Sequence, residues 1–216
     1  MLDMNLRQQF DEFGFALLEP VFASELIAEL RKECDGLISC ATQRGGFRHG
    51  LQRSEKLRQL AHFREIAEPV AEILGDMARA VKLTGFDKTP QANWKVPWHQ
   101  DLTITVREKR ETPGFGPWSI KDGLPHVQPP ADVLQAIVAV RLHLDDTGRD
   151  NGALHVIPGS HQYGRLNAEQ IRQLRCGGNV CCPVAAGGMM LMSPLLLHAS
   201  YPATEPGHRR VLHFEY

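Results

Sequence analysis

The chain has 216 residues, 43% hydrophobic and 23% charged, which is the size and composition of a soluble globular domain with a full core. Its formal net charge of −1, from 24 basic and 25 acidic residues, gives no electrostatic footprint for nucleic acid or for an anionic membrane. No apolar run approaches the roughly 20 residues of a membrane span, and the charged start "MLDMNLRQQFDEFGF" is unlike a secretory signal, so a cytoplasmic location is expected.

The N-terminal part reads as helical. In 23–40, Leu26, Ile27, Leu30, Cys34, Leu37 and Ile38 recur at spacings of three and four, which is one apolar face of a helix. Ser24 is its predicted N-cap. A second helical stretch is predicted over 54–80, broken near Pro69, with the Gly45-Gly46 pair in the loop between the two. From about Ala80 the texture changes to short runs rich in β-branched, leucine and aromatic residues, separated by turn residues. "AVRLHLDD" alternates: Val140, Leu142 and Leu144 on one face, Arg141, His143 and Asp145 on the other. No long helical pattern separates these strands, which disfavours a parallel sheet and favours a mainly β, antiparallel barrel or sandwich with packed N-terminal helices. The expected organisation is one domain over 1–216, with 1–80 mostly helical and 81–216 a β core. Insertions near 107–132 and 162–175 interrupt that core, and loops of such length are commonly lids or binding loops. The five cysteines are odd in number and form no CxxC pair, so free thiols are expected.

The chemistry centres on "NWKVPWHQD" (93–101), which sets two of the three tryptophans beside a His-x-Asp. Two imidazoles and one carboxylate on one side of a metal make a non-haem iron site with positions left open. On a strand, residues i and i+2 share a side, so His99 and Asp101 can both be ligands. His198, at the end of "MSPLLLHAS", is the best third ligand from a distant strand. The spacing is not decisive, because a second His-x-Asp, His143-Leu144-Asp145, also precedes His198.

Four segments resolve the choice by resemblance. "DEFGFALLEPVFASELIAELRKE", "VPWHQD", "LDDTGRDNGALHVIPGSH" and "LLLHASYPATEPGHRRVLHFEY" resemble, in order, the segments of the phytanoyl-CoA dioxygenase family of Fe(II)- and 2-oxoglutarate-dependent oxygenases. The central "NG…PGSH" pattern is the most specific of them, and its metal motif lies upstream of it. The resemblance therefore implies His99, Asp101 and His198 as the metal ligands, and leaves His143 and Asp145 structural or pocket-lining. It implies a double-stranded β-helix, a cupin-like jelly roll, with Fe(2+), 2-oxoglutarate and O2 as its cofactors. It also implies an arginine eleven residues after the distal histidine, here Arg209, for the far carboxylate of 2-oxoglutarate. A planar guanidinium suits both oxygens of that group. Its neighbour Arg210 would face the other way on a strand. Ser200, two residues after His198, would share its direction and add a hydroxyl donor.

Hydroxylation of a C–H bond in a small or mid-sized organic molecule follows from the resemblance, with release of succinate and CO2. Halogenase or desaturase chemistry on the same scaffold, or a cupin-like binding protein without catalysis, are the alternatives; a halogenase would carry a small residue where Asp101 stands. Lys95, which shares parity with His99, and Arg141, His143, Trp118 and His126 are the candidate substrate contacts, with Lys121 in the same insertion. Trp94 and Trp98 are expected to support the ligand strand and wall off the pocket.

Overall fold

The computed structural model describes residues 4–41 and 45–216. Residues 1–3 of the charged opening stretch, and 42–44 just before the Gly45-Gly46 pair, lie outside the described residues. Helix α1 (Leu6–Phe13) is fixed at both ends by its sequence. Asn5 and Gln8 form a capping box, and Gly14 closes the helix in the left-handed conformation at φ 80°. Helix α2 (Ser24–Ser39) buries Ile27, Leu30 and Cys34, the face that the spacing predicts. Its N-cap is Ala23, which makes no side-chain bond, so Ser24 is the first helical residue and not the cap.

A short helix, α3 (Gly50–Arg53), precedes the second predicted stretch, and two helices, α4 (Glu55–Leu60) and α5 (Arg64–Leu74), fall within it. The break falls at 61–63, and Pro69 sits inside α5. Proline in a helix interior costs roughly 3 kcal/mol. Ile66, Val70 and Ile73 bury one face of α5, and each such side chain contributes roughly 1.5–3 kcal/mol. Packing therefore carries the helix through the proline. Two further helices, α6 (Ala131–Gln135) and α7 (Ala168–Cys176), lie in the β region, and α7 occupies the second predicted insertion.

The strands are β1 (Phe15–Leu18), β2 (Gly46–Phe47), β3 (Lys82–Lys88), β4 (Val96–His99), β5 (Ile104–Thr105), β6 (Trp118–Lys121) and β7 (Leu124–Val127). They continue with β8 (Ala139–His143), β9 (Leu154–Val156), β10 (Val180–Cys182), β11 (Met189–Met192), β12 (His198–Ser200) and β13 (Arg209–Glu215). A six-stranded sheet has the order β1-β11-β8-β13-β3-β2, and a four-stranded sheet the order β10-β9-β12-β4. All their pairings are antiparallel. Ala139, Met190 and Met192 of the larger sheet pack on Leu154, Val156 and Cys182 of the smaller one. This is the jelly roll expected from the sequence. The first insertion is not a bare loop: it supplies β6 and β7, which join β5 in a separate three-stranded sheet.

The larger sheet is buried on both faces, each for a different reason. Val140, Leu142, Leu212 and Phe214 point to the N-terminal helices and share their core with Ile27, Leu30, Leu57 and Ile66. The alternate residues point into the barrel. The register aligns them in rows across β3, β13 and β8: Lys88 with Arg209, Phe86 with Val211 and His143, Thr84 with His213 and Arg141, and Lys82 with Glu215. A polar stripe that looks like a solvent face in the sequence is thus the inner wall of the barrel.

Candidate active site

His99 ends β4 and lies directly opposite His198 on β12. The two imidazole rings stand 4.2 Å apart between centroids. Each ring is aimed by its own backbone. His99 Nδ1 donates to the Pro97 carbonyl and His198 Nδ1 to the Leu196 carbonyl, both at 2.8 Å. That leaves both Nε2 atoms facing Asp101, at 3.6 Å for His99 and 3.8 Å for His198. These separations are long for hydrogen bonds and suit ligands gathered around one ion, whose bonds of roughly 2.1 Å set neighbouring donors about 3 Å apart. The three donor atoms lie within 4.8 Å of one another. Burial holds His198 down to about 4, so its ring is neutral near pH 7. Burial alone would raise the Asp101 carboxyl, but His198, His99 and His213 around it pull it well below the usual range. The trio is one anion and two imidazoles, a donor set that fits Fe(2+).

The positioning of Asp101 departs from the strand argument. β4 stops at His99, so the carboxylate lies beyond the ladder. Its backbone N–H donates to the Pro194 carbonyl at 2.8 Å. Gln100, between the two, is buried and clamped at both ends of its amide. Nε2 donates to the carbonyls of Gly164 and Leu195, and Oε1 accepts from the Leu166 N–H. The middle residue of the motif therefore fixes the turn that brings Asp101 back beside His99. Nothing in the spacing alone points to it.

A cavity of about 430 Å3 opens in front of the trio, inside the range of small-molecule sites, roughly 300–1,000 Å3. Arg209, Ser200 and Arg141 line it together with His99, Asp101 and His198. Arg209 is 3% exposed; its Nη1 donates to the Gly152 carbonyl at 2.6 Å, and its Nε has no partner. Burial, with Arg141 adding to it, lowers its pKa to about 9. Ser200 differs from expectation. Its hydroxyl donates to Gly152 O at 2.9 Å and accepts from Lys88 Nζ at 2.8 Å, so its proton is already committed. Lys88 is the residue that the sequence reading missed here: 1% exposed, it closes the far end of the barrel behind Arg209. Gly152 is favoured by φ 72°, and a Cβ there would stand 3.1 Å from the Tyr201 carbonyl oxygen.

The remaining substrate candidates separate. Arg141 is on the cavity wall, bonded to His213 Nδ1 and lying over the Phe86 ring. Lys95 is not: it is exposed, with its ammonium over Tyr201. The pairing of β4 with β12 slips by one residue between His99 and Val96, around Pro97, and this reverses the parity on which Lys95 was chosen. Trp94 and Val96 line the cavity in its place. Trp98 packs behind the ligands against Ile157, Leu166 and Leu197. His143 is buried against Thr147, off the cavity wall. Asp145 has left the strand and faces the helices, where it binds Arg210 and Arg31, so the second motif does not share one side. Trp118 and His126 sit behind the wall in the three-stranded sheet, and Lys121 of the same sheet reaches it.

The phytanoyl-CoA dioxygenase (PhyH) family model matches residues 10–211, nearly the whole chain. The chain belongs to that family. PhyH membership makes it a non-haem iron and 2-oxoglutarate-dependent oxygenase acting on small molecules, with Fe(2+) and 2-oxoglutarate as its cofactors. Solved structures with the same fold include AviO1 from Streptomyces viridochromogenes Tue57, at 24% identity, covering 98% of this chain and 92% of that one with a TM-score of 0.69. EctD from S. alaskensis with bound Fe matches at 19% identity over 96% of this chain and 73% of that one, TM-score 0.73. The non-heme alpha ketoglutarate dependent carbocyclase SnoK from nogalamycin biosynthesis matches at 16% over 100% and 83%, TM-score 0.75. None of the curated proteins compared with this PhyH chain matches it. No helix among the described residues is long and apolar enough to cross a membrane.

Proposed function

We propose that this oxygenase hydroxylates a C–H bond of a small or mid-sized organic molecule, that His99, Asp101 and His198 hold its iron, and that residues 4–216 act as one catalytic unit. The carrying observation is the convergence of two oriented Nε2 atoms and one carboxylate on a single point at the cavity wall. Iron, 2-oxoglutarate and O2 together supply the oxidising power, with succinate and CO2 as co-products. The chain's own residues hold and orient. The carbonyls of Pro97 and Leu196 lock the ring tautomers, as outer partners of metal-bound imidazoles do. Arg209, which lines the cavity and whose buried Nε has no partner, supplies the cation for the distal carboxylate of 2-oxoglutarate. Trp98 and its aliphatic neighbours keep water from the back of the site. An intact Asp101 speaks against a halogenase, and the pairing of the trio with Arg209 speaks against a binding protein without catalysis.

The purified protein, loaded with Fe(II), is expected to consume 2-oxoglutarate only in the presence of O2 and to release succinate. Metabolite screening read by that turnover should yield a product heavier by one oxygen atom. A cyclised or isomerised product would overturn hydroxylation and leave the oxygenase assignment standing; full turnover without metal would overturn the ligand assignment.

Lys88 gives the cosubstrate site a pH dependence. Burial, then Arg209 and Arg141, hold its pKa down to about 7. A dianion placed beside Arg209 favours the protonated lysine and raises that value. Above pH 7, binding of 2-oxoglutarate should therefore take up a proton, and affinity should fall as pH rises. Calorimetric titrations at pH 8 in two buffers of different ionisation enthalpy measure the uptake. It should vanish in Lys88→Met, and identical enthalpies for the native protein would remove Lys88 from the site.

A further inference from the structure

The two ends of the cavity differ in what they can hold. Arg209 and Glu215 both face inward on β13, and six residues of strand span about 20 Å. A five-carbon diacid anchored at Arg209 and reaching the trio cannot extend to Glu215. The Glu215 end is nevertheless built from charges. Lys82 Nζ binds Glu215 at 2.6 Å, and Arg48 Nε pairs with Asp122 at 3.1 Å. Lys121, from the outer three-stranded sheet, joins them on the cavity wall. It is half-buried, and its ammonium bonds Thr103 Oγ1 at 3.2 Å. Among the described residues it has no carboxylate within ion-pair distance.

Charge is thus left over at this end. Burial, then Lys82 and Arg48, lower the pKa of Lys121. Burial and the same three cations hold the nearby His126 down to about 4. Around the whole cavity five Lys and Arg side chains face two carboxylates. Iron and 2-oxoglutarate carry equal and opposite charge, so loading the site does not remove the excess. The apolar part of the wall, Phe86, Trp94 and Val96, lies toward the Arg209 end, where Val96 pairs with Ser200 and Trp94 lies by Lys88; on the Lys121 side Thr103 and Thr84 line the cavity.

We infer that the substrate is an organic anion, its carboxylate or phosphate group taken by Lys121 at the end of the cavity remote from Arg209. The inference rests on the oxygenase reading, and it names the class of molecule that reading leaves open. Binding the anion at one end and 2-oxoglutarate at the other sets the rest of the substrate across the face of the trio, where a C–H bond has to lie.

The test is calorimetric titration of the anaerobic Fe(II)–2-oxoglutarate protein with three probes of one shape: benzoate, phenyl phosphate and benzamide. At least one anion should bind tenfold or more tightly than the neutral amide, and the better of the two identifies the group. Lys121→Gln should lose that preference and Lys121→Arg should keep it. Each protein is titrated with 2-oxoglutarate first, which confirms folding and loading. Native protein that takes 2-oxoglutarate but binds the three probes equally overturns the anion assignment alone, as does a preference that survives in Lys121→Gln. Native protein that fails to bind 2-oxoglutarate overturns the reading beneath it.

Discussion

His99→Ala is expected to abolish iron binding, whereas His143→Ala should retain close to one ion per chain after anaerobic reconstitution. The two residues begin motifs of identical spacing, and both precede His198. Their surroundings are opposite. His99 presents Nε2 to Asp101 with its other nitrogen tied to a carbonyl. His143 spends Nδ1 on Thr147 at 2.8 Å, and burial, with Arg141 and Arg209 beside it, holds its pKa well below the ordinary value. Its would-be partner Asp145 is turned toward the helices and held by Arg210 at 2.9 Å. Loss of one of three ligands removes the geometry of a facial site. Loss of His143 empties space in a packed interior, and should lower folding stability by the amount usual for a buried truncation, about 2–4 kcal/mol. Metal analysis of the folded fraction separates the two effects. Iron lost from His143→Ala and kept by His99→Ala would reverse the ligand assignment and the alignment to the family with it.

The same pair shows what was legible in the sequence. Alternation in β8 and β13 was readable because one side of each strand packs on helices and must be apolar. What lies on the other side was not, since a polar face pointing at solvent and one pointing at a cavity look alike. Lys88 illustrates this: Lys82, Thr84, Phe86 and Lys88 alternate with Leu83, Gly85 and Asp87, yet the lysines face inward. Parity arguments failed where strands stopped being regular. Pro97 and the slip beside it exchanged Lys95 for Trp94 and Val96, and Asp101 reached the site through a turn held by Gln100. The break assigned to Pro69 failed for a different reason, because local propensity was outweighed by burial of Ile66, Val70 and Ile73. Motif order, by contrast, is independent of such local detail, and it singled out the residues that converge.

Adjacent arginines on β13 should respond to substitution in opposite ways. Arg209 and Arg210 are comparably hidden, at 3% and 8% exposure, but face opposite sides of the sheet. Arg209 lines the cavity with a buried, unpartnered Nε, and among the described residues its guanidinium is in no ion pair; Asp87 accepts only from its backbone N–H. Arg210 lies toward α2, where its guanidinium binds Asp145 at 2.9 Å and Asp35 at 2.7 Å. Arg209→Lys exchanges a two-toothed fork for a point charge. The loss of a charged hydrogen bond, roughly 1.5–3 kcal/mol, corresponds to a rise in the 2-oxoglutarate Kd of about tenfold to a hundredfold. Its Tm should move little, because no ion pair is broken. Arg210→Ala removes the cation that Asp145 and Asp35 share, leaving Asp145 with Arg31 alone and Asp35 without its partner. With Arg31 still beside Asp145 and Asp35 half exposed, the loss should be on the order of 2 kcal/mol, a fall in Tm of roughly 5 °C for a chain of this size. Its 2-oxoglutarate affinity should stay near that of the native protein at temperatures where it is folded. Calorimetric titration and thermal melts on both variants read the two axes independently. If Arg210→Ala weakens 2-oxoglutarate binding more than Arg209→Lys does, the anchor is on the other face of β13 and the cosubstrate lies outside the cavity described here.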